Sequence, residues 1–370
     1  MRLPFLGAAF LGCVLGGAPV SSLPASDVRT LLRNVAGFTD DDWNTIEHGG
    51  AVSKILETDA REIAVAGAVR IAAAPARLVA RIRDIDNLKR SAIVLDAGRF
   101  SSPPRASDLA SAPFEDYNLD LRECRPGECR VRLAAAEIAR FHREVPWGAS
   151  DWRARSAAVW REILAGYAAS YARDGRKALP TFANKEVALS VTGELTLLAA
   201  KFGFISQFSS DLHAYLQEFG PARPARSEDV LYWTKEDFGV RPVFRISHQV
   251  IAPAPGDAAI VVATNQVYAD HYLDAALGVT LAIPAFSAAD GREGFYMILV
   301  NRARTRSLSS WFRRIVRGTV QGRSRDAMRK ILTATKSALE SASHRQDHAG
   351  AMQVADEDAP RGGRRQREDR

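Results

Sequence analysis

The chain has 370 residues, 46% of them hydrophobic and 25% charged. That is a globular composition, and a chain of this size buries a core without needing a metal or disulfide scaffold. The length allows one large domain or two ordinary ones. A formal charge of +7 favours acidic partners such as anionic lipid, polyanions or nucleic acid, without choosing among them.

Residues 1–25 read as an export signal. Arg2 is a minimal positive region, Leu3 to Val20 is apolar and rich in small residues, and small residues cluster again between Ala18 and Ala25, where cleavage is expected. Pro4 and four glycines interrupt the stretch, which makes it a poor transmembrane anchor, and no later segment reaches the roughly 18 apolar residues of a span. A periplasmic or secreted location follows.

The mature chain, from residue 26, opens with a helical stretch over 27–60, interrupted by breaks, in which Asp40-Asp41-Asp42 is placed to cap a short helix carrying Trp43 and Ile46. Residues 62–71 alternate as a strand, with Ile63, Val65, Val69 and Ile71 on one face and Glu62 and Arg70 on the other. Pro75 opens a helix through Leu78, Val79, Ile82 and Ile85, and 91–100 is a further strand. Residues 117–133 read as a hairpin around the turn Arg125-Pro126-Gly127-Glu128, which brings Cys124 and Cys129 close enough to bridge. In an oxidising compartment the disulfide is the favoured state, and two sulfurs are too few for a structural zinc site.

The segment 134–220 is mainly helical. Val159, Trp160, Ile163, Leu164, Tyr167 and Tyr171 share one face of a helix over 150–173. A short alternating run follows through Val187, Leu189 and Val191, then helices at 193–203 and 209–218, the second capped by Ser209 or Ser210. Strand signals are densest from 230 to 302. A long helix is expected over 308–340 with Ile315, Val316, Met328, Ile331, Leu332, Thr335 and Leu339 inward, and 341–370 reads as a disordered basic tail.

This order resembles the START-like (SRPBCC, helix-grip) superfamily. The resemblance rests on EIAVAGAVRIAAAPARLVARIRD at 62–84, on VYADHYLDAALGVTL at 267–281, and on strands closing into the 308–340 helix. It implies an α+β domain over 26–340, in which a curved antiparallel sheet wraps the long C-terminal helix and a cavity lies between them. It also implies binding or transfer of a hydrophobic small molecule or lipid. Residues 134–220 depart from the compact pattern as a helical insertion.

On the strand from Arg241 to Ala252, Phe244, Ile246 and Val250 share a face with His248, while Arg241, Arg245, Ser247 and Gln249 suit solvent. In 260–283 the odd positions form an apolar face broken by Asn265 and His271, and a single bulge or a turn near Asp270 would reverse part of this assignment. The expected ligand contacts are therefore His248, His271, Asn265, Phe244 and Ile246, with Trp233 and Tyr268 as amphipathic candidates. Histidine is also the natural acid or base near neutral pH. An enzyme reading needs a second titratable group beside one histidine, with Glu194 and Asp274 as candidates. Trp311, Phe312, Arg313 and Arg314 suit peripheral contact with an anionic membrane. An envelope-surface interaction protein with a filled core is a third reading. No cofactor, metal-ligand spacing or nucleic-acid motif is present in the sequence.

Overall fold

The computed structural model describes residues 25–86, 93–114, 118–220, 222–237, 241–286, 293–306 and 313–357. The expected export signal lies outside this range, apart from Ala25.

Helices α1 (Ala25–Ala36) and α2 (Asp40–Glu47) open the chain. Thr39, rather than the Asp40–Asp42 run, caps α2: its hydroxyl accepts from the Asp42 amide at 3.3 Å, and the Asp42 carboxylate accepts from the Thr39 amide at 2.7 Å. Strands β1 (Val52–Ile55) and β2 (Glu62–Ile71) follow, then α3 (Pro75–Arg83), begun by Pro75, and β3 (Val94–Arg99). A helical segment comes next: α4 (Asn118–Glu123), α5 (Ala135–Glu144), α6 (Trp152–Asp174), the two-residue strands β4 (Thr181–Phe182) and β5 (Leu189–Ser190), α7 (Val191–Ala199) and α8 (Ser210–Glu218). Ser209 caps α8. The chain then forms a meander of β6 (Glu228–Glu236), β7 (Val243–Pro253), β8 (Ile260–Ala269), β9 (Ala275–Phe286) and β10 (Glu293–Arg304), and ends in α9 (Arg313–Glu357).

The long strands make one eight-stranded antiparallel sheet in the order β1-β2-β10-β9-β8-β7-β6-β3. Both faces are covered. On one, Val65, Val69 and Ile71 join Met297, Leu299, Met328, Leu332 and Leu339, so α9 packs against the β1–β2 side of the sheet. Gly67 makes this approach possible, since a Cβ there would sit 2.7 Å from a Leu332 methyl. Helix α3 shares that face through Val79 against Ile251 and Val262. The other face is filled by the helical segment together with α1 and α2, in one continuous core.

Several expectations change: β1 forms within 27–60, where helix was expected, and Ile331, expected inward on α9, is exposed. Residues 118–133 do not form an extended hairpin: 118–123 are helical in α4, and among the described residues only Arg125 and Glu128 pair across the turn. The disulfide between Cys124 and Cys129 is present, with Cα atoms 4.5 Å apart. Val187 is 72% exposed, and its alternating run shrinks to Leu189–Ser190. The helical segment begins before 134, at Ala106. Helix α9 continues beyond 340 to Glu357, into the stretch expected to be disordered, while 358–370 lie outside the described residues.

No helix among the described residues is long and apolar enough to cross a membrane. Trp311 and Phe312 lie outside the described residues, as do the side chains of Arg313, Arg314, Ile315 and Val316.

Candidate functional site

The face of the sheet expected to line a ligand cavity is instead closed by aromatic packing. Trp233 stacks on Phe244 with ring centroids 5.7 Å apart, and Phe244 lies 5.2 Å from Phe114. Tyr268 meets Trp160, Tyr167 and Phe182 at 5.7–6.3 Å. Trp233, Phe244, Ile246 and Tyr268 are fully buried core residues. The Trp233 indole donates to the Asp108 carbonyl at 3.0 Å, and Gly98 leaves the space its ring occupies. Tyr268 reaches this face through a register shift between Ile246 and Ser247, so that it pairs with Ile246 instead of keeping to the opposite side. The surface assigned to solvent is covered too, since Ser247 and Gln249 are buried.

His248 escapes that closed packing at the end of the sheet nearest α8. Its register partners are Leu231 on β6 and Asn265 on β8, which puts Asn265 beside it and Asp229 two residues along β6 on the same face. Helix α6 brings Tyr171 over the sheet. The Asn265 amide donates to the Tyr171 hydroxyl at 3.0 Å; Tyr171 Oη and His248 Nδ1 are 2.9 Å apart; His248 Nε2 and Asp229 Oδ2 are 3.0 Å apart. A carboxylate only accepts, so Nε2 donates to Asp229, and in the neutral ring Nδ1 then accepts from the Tyr171 hydroxyl. The hydrogen bond from His248 holds the Asp229 carboxyl below its ordinary range, against the opposing effect of burial, and Arg223 adds an ion pair. Burial raises the Tyr171 phenol well above its usual range.

These groups open on a cavity of about 370 Å³, whose other walls include Phe100, Pro104, Tyr215, Phe219, Leu231 and Arg223. Phe219, 5.9 Å from the His248 ring, follows α8 with φ +45°, a left-handed conformation that ends the helix. Arg176 fixes that end by donating to the Leu216 carbonyl at 2.7 Å and lying 5.4 Å over the Phe219 ring.

His271 occupies the turn between β8 and β9 and lines a second, larger cleft. Its Nδ1 lies 2.6 Å from Asp270 Oδ1, without hydrogen-bond alignment, and its Nε2 has no partner. The carboxylates expected beside a histidine are taken by arginines: Asp274 pairs with Arg132 at 2.7 Å and Arg61 at 3.3 Å, and Glu194 with Arg61 at 2.6 Å and Arg304 at 2.5 Å. The two histidines and Asn265 were visible from alternation alone. Asp229 and Tyr171 were not singled out as their partners, because no spacing links residues 19 and 77 positions from His248. No group of three or more metal-binding side chains occurs among the described residues.

Compared with known proteins, the chain matches no family model, no curated protein and no solved structure.

Proposed function

We propose that the protein is an exported small-molecule binding protein, whose ligand has an apolar body and a polar head and sits in the pocket at His248. The observation that carries this is the pocket itself: a space of about 370 Å³ in which Phe100, Tyr215 and Phe219 face a mostly polar lining that includes Arg99, Ser101, Arg223, Asp229 and His248. Mixed walls of this kind, with a few oriented polar groups, are what small-molecule sites share. A hydrophobic molecule or lipid with a hydrogen-bonding head group fits that chemistry. The disulfide is consistent with an oxidising location outside the cytosol. The succession of β2, α3, β3, a meander returning to pair with β2, and a long last helix supports kinship with the helix-grip superfamily, in which the sheet curls around that helix.

The test is native mass spectrometry on protein purified from its own source, followed by organic extraction. The wild type is expected to carry a reproducible small mass that Ala172→Trp, which narrows the pocket wall, loses. A bare wild-type mass with no uptake of fatty-acid or sterol probes overturns the proposal.

A second reading is acid–base catalysis in the same pocket, favoured by the Asp229–His248–Tyr171 chain: a hydroxyl, a base that takes its proton, and a carboxylate that orients the base. His248→Phe separates the two. A carrier yields the same extracted molecule from wild type and variant; a catalyst leaves an unconverted molecule of different mass in the variant.

A further inference from the structure

Tyr215 carries a phenol that the hydrogen-bond chain at His248 does not use. It sits on α8, one turn before that helix ends, and lines the same pocket as His248, Asp229 and Arg223. Its position is fixed from several sides. Its ring lies 5.4 Å from the Phe219 ring, and its carbonyl accepts from the Phe219 amide at 2.6 Å. Arg176 donates to the next two carbonyls, those of Leu216 and Gln217. The hydroxyl is thus presented to the pocket from a rigid element, which is what a selective contact needs.

The groups around it are already engaged with one another. Tyr171 accepts from Asn265 and donates to His248, His248 donates to Asp229, and Asp229 pairs with Arg223. Tyr215 differs. It is only 7% exposed, yet its hydroxyl has no hydrogen-bond partner among the described residues and is not closed off from solvent. The surface it keeps opens on the pocket it lines. A phenol has one proton to donate. Leaving a largely buried donor unpaired is unfavourable, so a ligand or water completes such groups.

Charge narrows the choice of ligand. Burial first, and the Asp229 carboxylate second, push the phenol up to about 12, against a smaller opposing effect of Arg223. The hydroxyl therefore keeps its proton at neutral pH and can donate it. The field of Asp229 that disfavours a phenolate there also disfavours an anionic head group beside it, whereas an uncharged oxygen is little affected.

Resting on the small-molecule reading of this pocket, we propose that Tyr215 selects the ligand's head group: its hydroxyl donates to an uncharged oxygen, of an alcohol or ketone, on an otherwise apolar molecule. Phe100 and Phe219 supply apolar surface for the body of that molecule.

The test is calorimetric titration of the whole mature chain with three probes that share one ring: 2-phenylethanol, phenylacetate and ethylbenzene. The wild type is expected to bind 2-phenylethanol saturably and more tightly than the other two. Tyr215→Phe keeps the ring and removes the hydroxyl. It is expected to weaken 2-phenylethanol about threefold to tenfold and to leave ethylbenzene unchanged, a difference that a merely structural role would not produce. Ala172→Trp, which narrows the pocket wall, is expected to abolish binding of all three. Equal affinity for 2-phenylethanol in the wild type and Tyr215→Phe overturns the role of Tyr215. Tighter binding of phenylacetate than of 2-phenylethanol by the wild type overturns the uncharged head group. In either case loss of binding in Ala172→Trp leaves the pocket reading standing. Failure of the wild type to bind any probe up to roughly 1 mM also overturns the proposal; a co-purifying mass that Ala172→Trp loses would then show that the pocket reading survives it.

Discussion

Around His248 both ring nitrogens are engaged, one with Tyr171 and one with Asp229, and aromatic rings from α6 and α8 enclose the imidazole. Around His271 both ring nitrogens and both oxygens of the neighbouring Asp270 lack hydrogen bonds, although the site is almost equally buried. The first region is built as a finished network whose geometry is set by three elements packed together. The second is a turn carrying polar atoms whose needs the protein itself does not meet. Burial alone therefore does not show whether a polar group is satisfied; its hydrogen bonds do.

The contrast is broken most severely from the aromatic side. Trp160→Ala removes a fully buried ring shared by α6 and the sheet, and is expected to cost about 3–5 kcal/mol in urea unfolding. A loss below about 1 kcal/mol would show that the helical segment packs loosely on the sheet. Tyr171→Phe keeps the ring but leaves His248 Nδ1 and the Asn265 amide without their shared partner. The expected loss is about 1–3 kcal/mol, with little change in overall structure.

Acid sensitivity sharpens the comparison further. The hydrogen bond from His248 holds the Asp229 carboxyl below the ordinary 3.8. Its contribution is therefore fully present above pH 3.8 and is lost as the pH falls through the lower, folded value. Asp229→Asn is expected to make the acid limb of the stability profile shallower, and an unchanged limb would remove Asp229 from the network. The smallest effect belongs to the other site. Lys185→Ala, an exposed change in the cleft, is expected to alter stability by less than about 0.5 kcal/mol in urea unfolding.

Much of the framework was legible from periodicity. The 62–71 alternation became β2, Pro75 opened α3, and the Trp160–Tyr171 stripe became the buried side of α6. Short runs misled. Tyr117, Leu119 and Leu121 alternate, but three positions do not separate period two from a single helical turn, and residues 118–123 form a helix. The odd-position face of 260–283 held along β9 and most of β8, and failed at Tyr268, where one register shift moved a side chain across the sheet.

By itself the sequence determined the alternation of strands and helices, the disulfide, and the two histidines as polar exceptions on apolar strands, because these depend on neighbours in the chain. Only the tertiary structure decided what covers each face and which groups meet. Residues 106–219 fold back to fill the side of the sheet where a cavity was expected, and α9 takes the other. Tyr171 and Asp229 then reach His248, while the arginines claim Asp274 and Glu194. Partners so distant in sequence are selected by packing, since only a folded core brings their side chains within hydrogen-bond range.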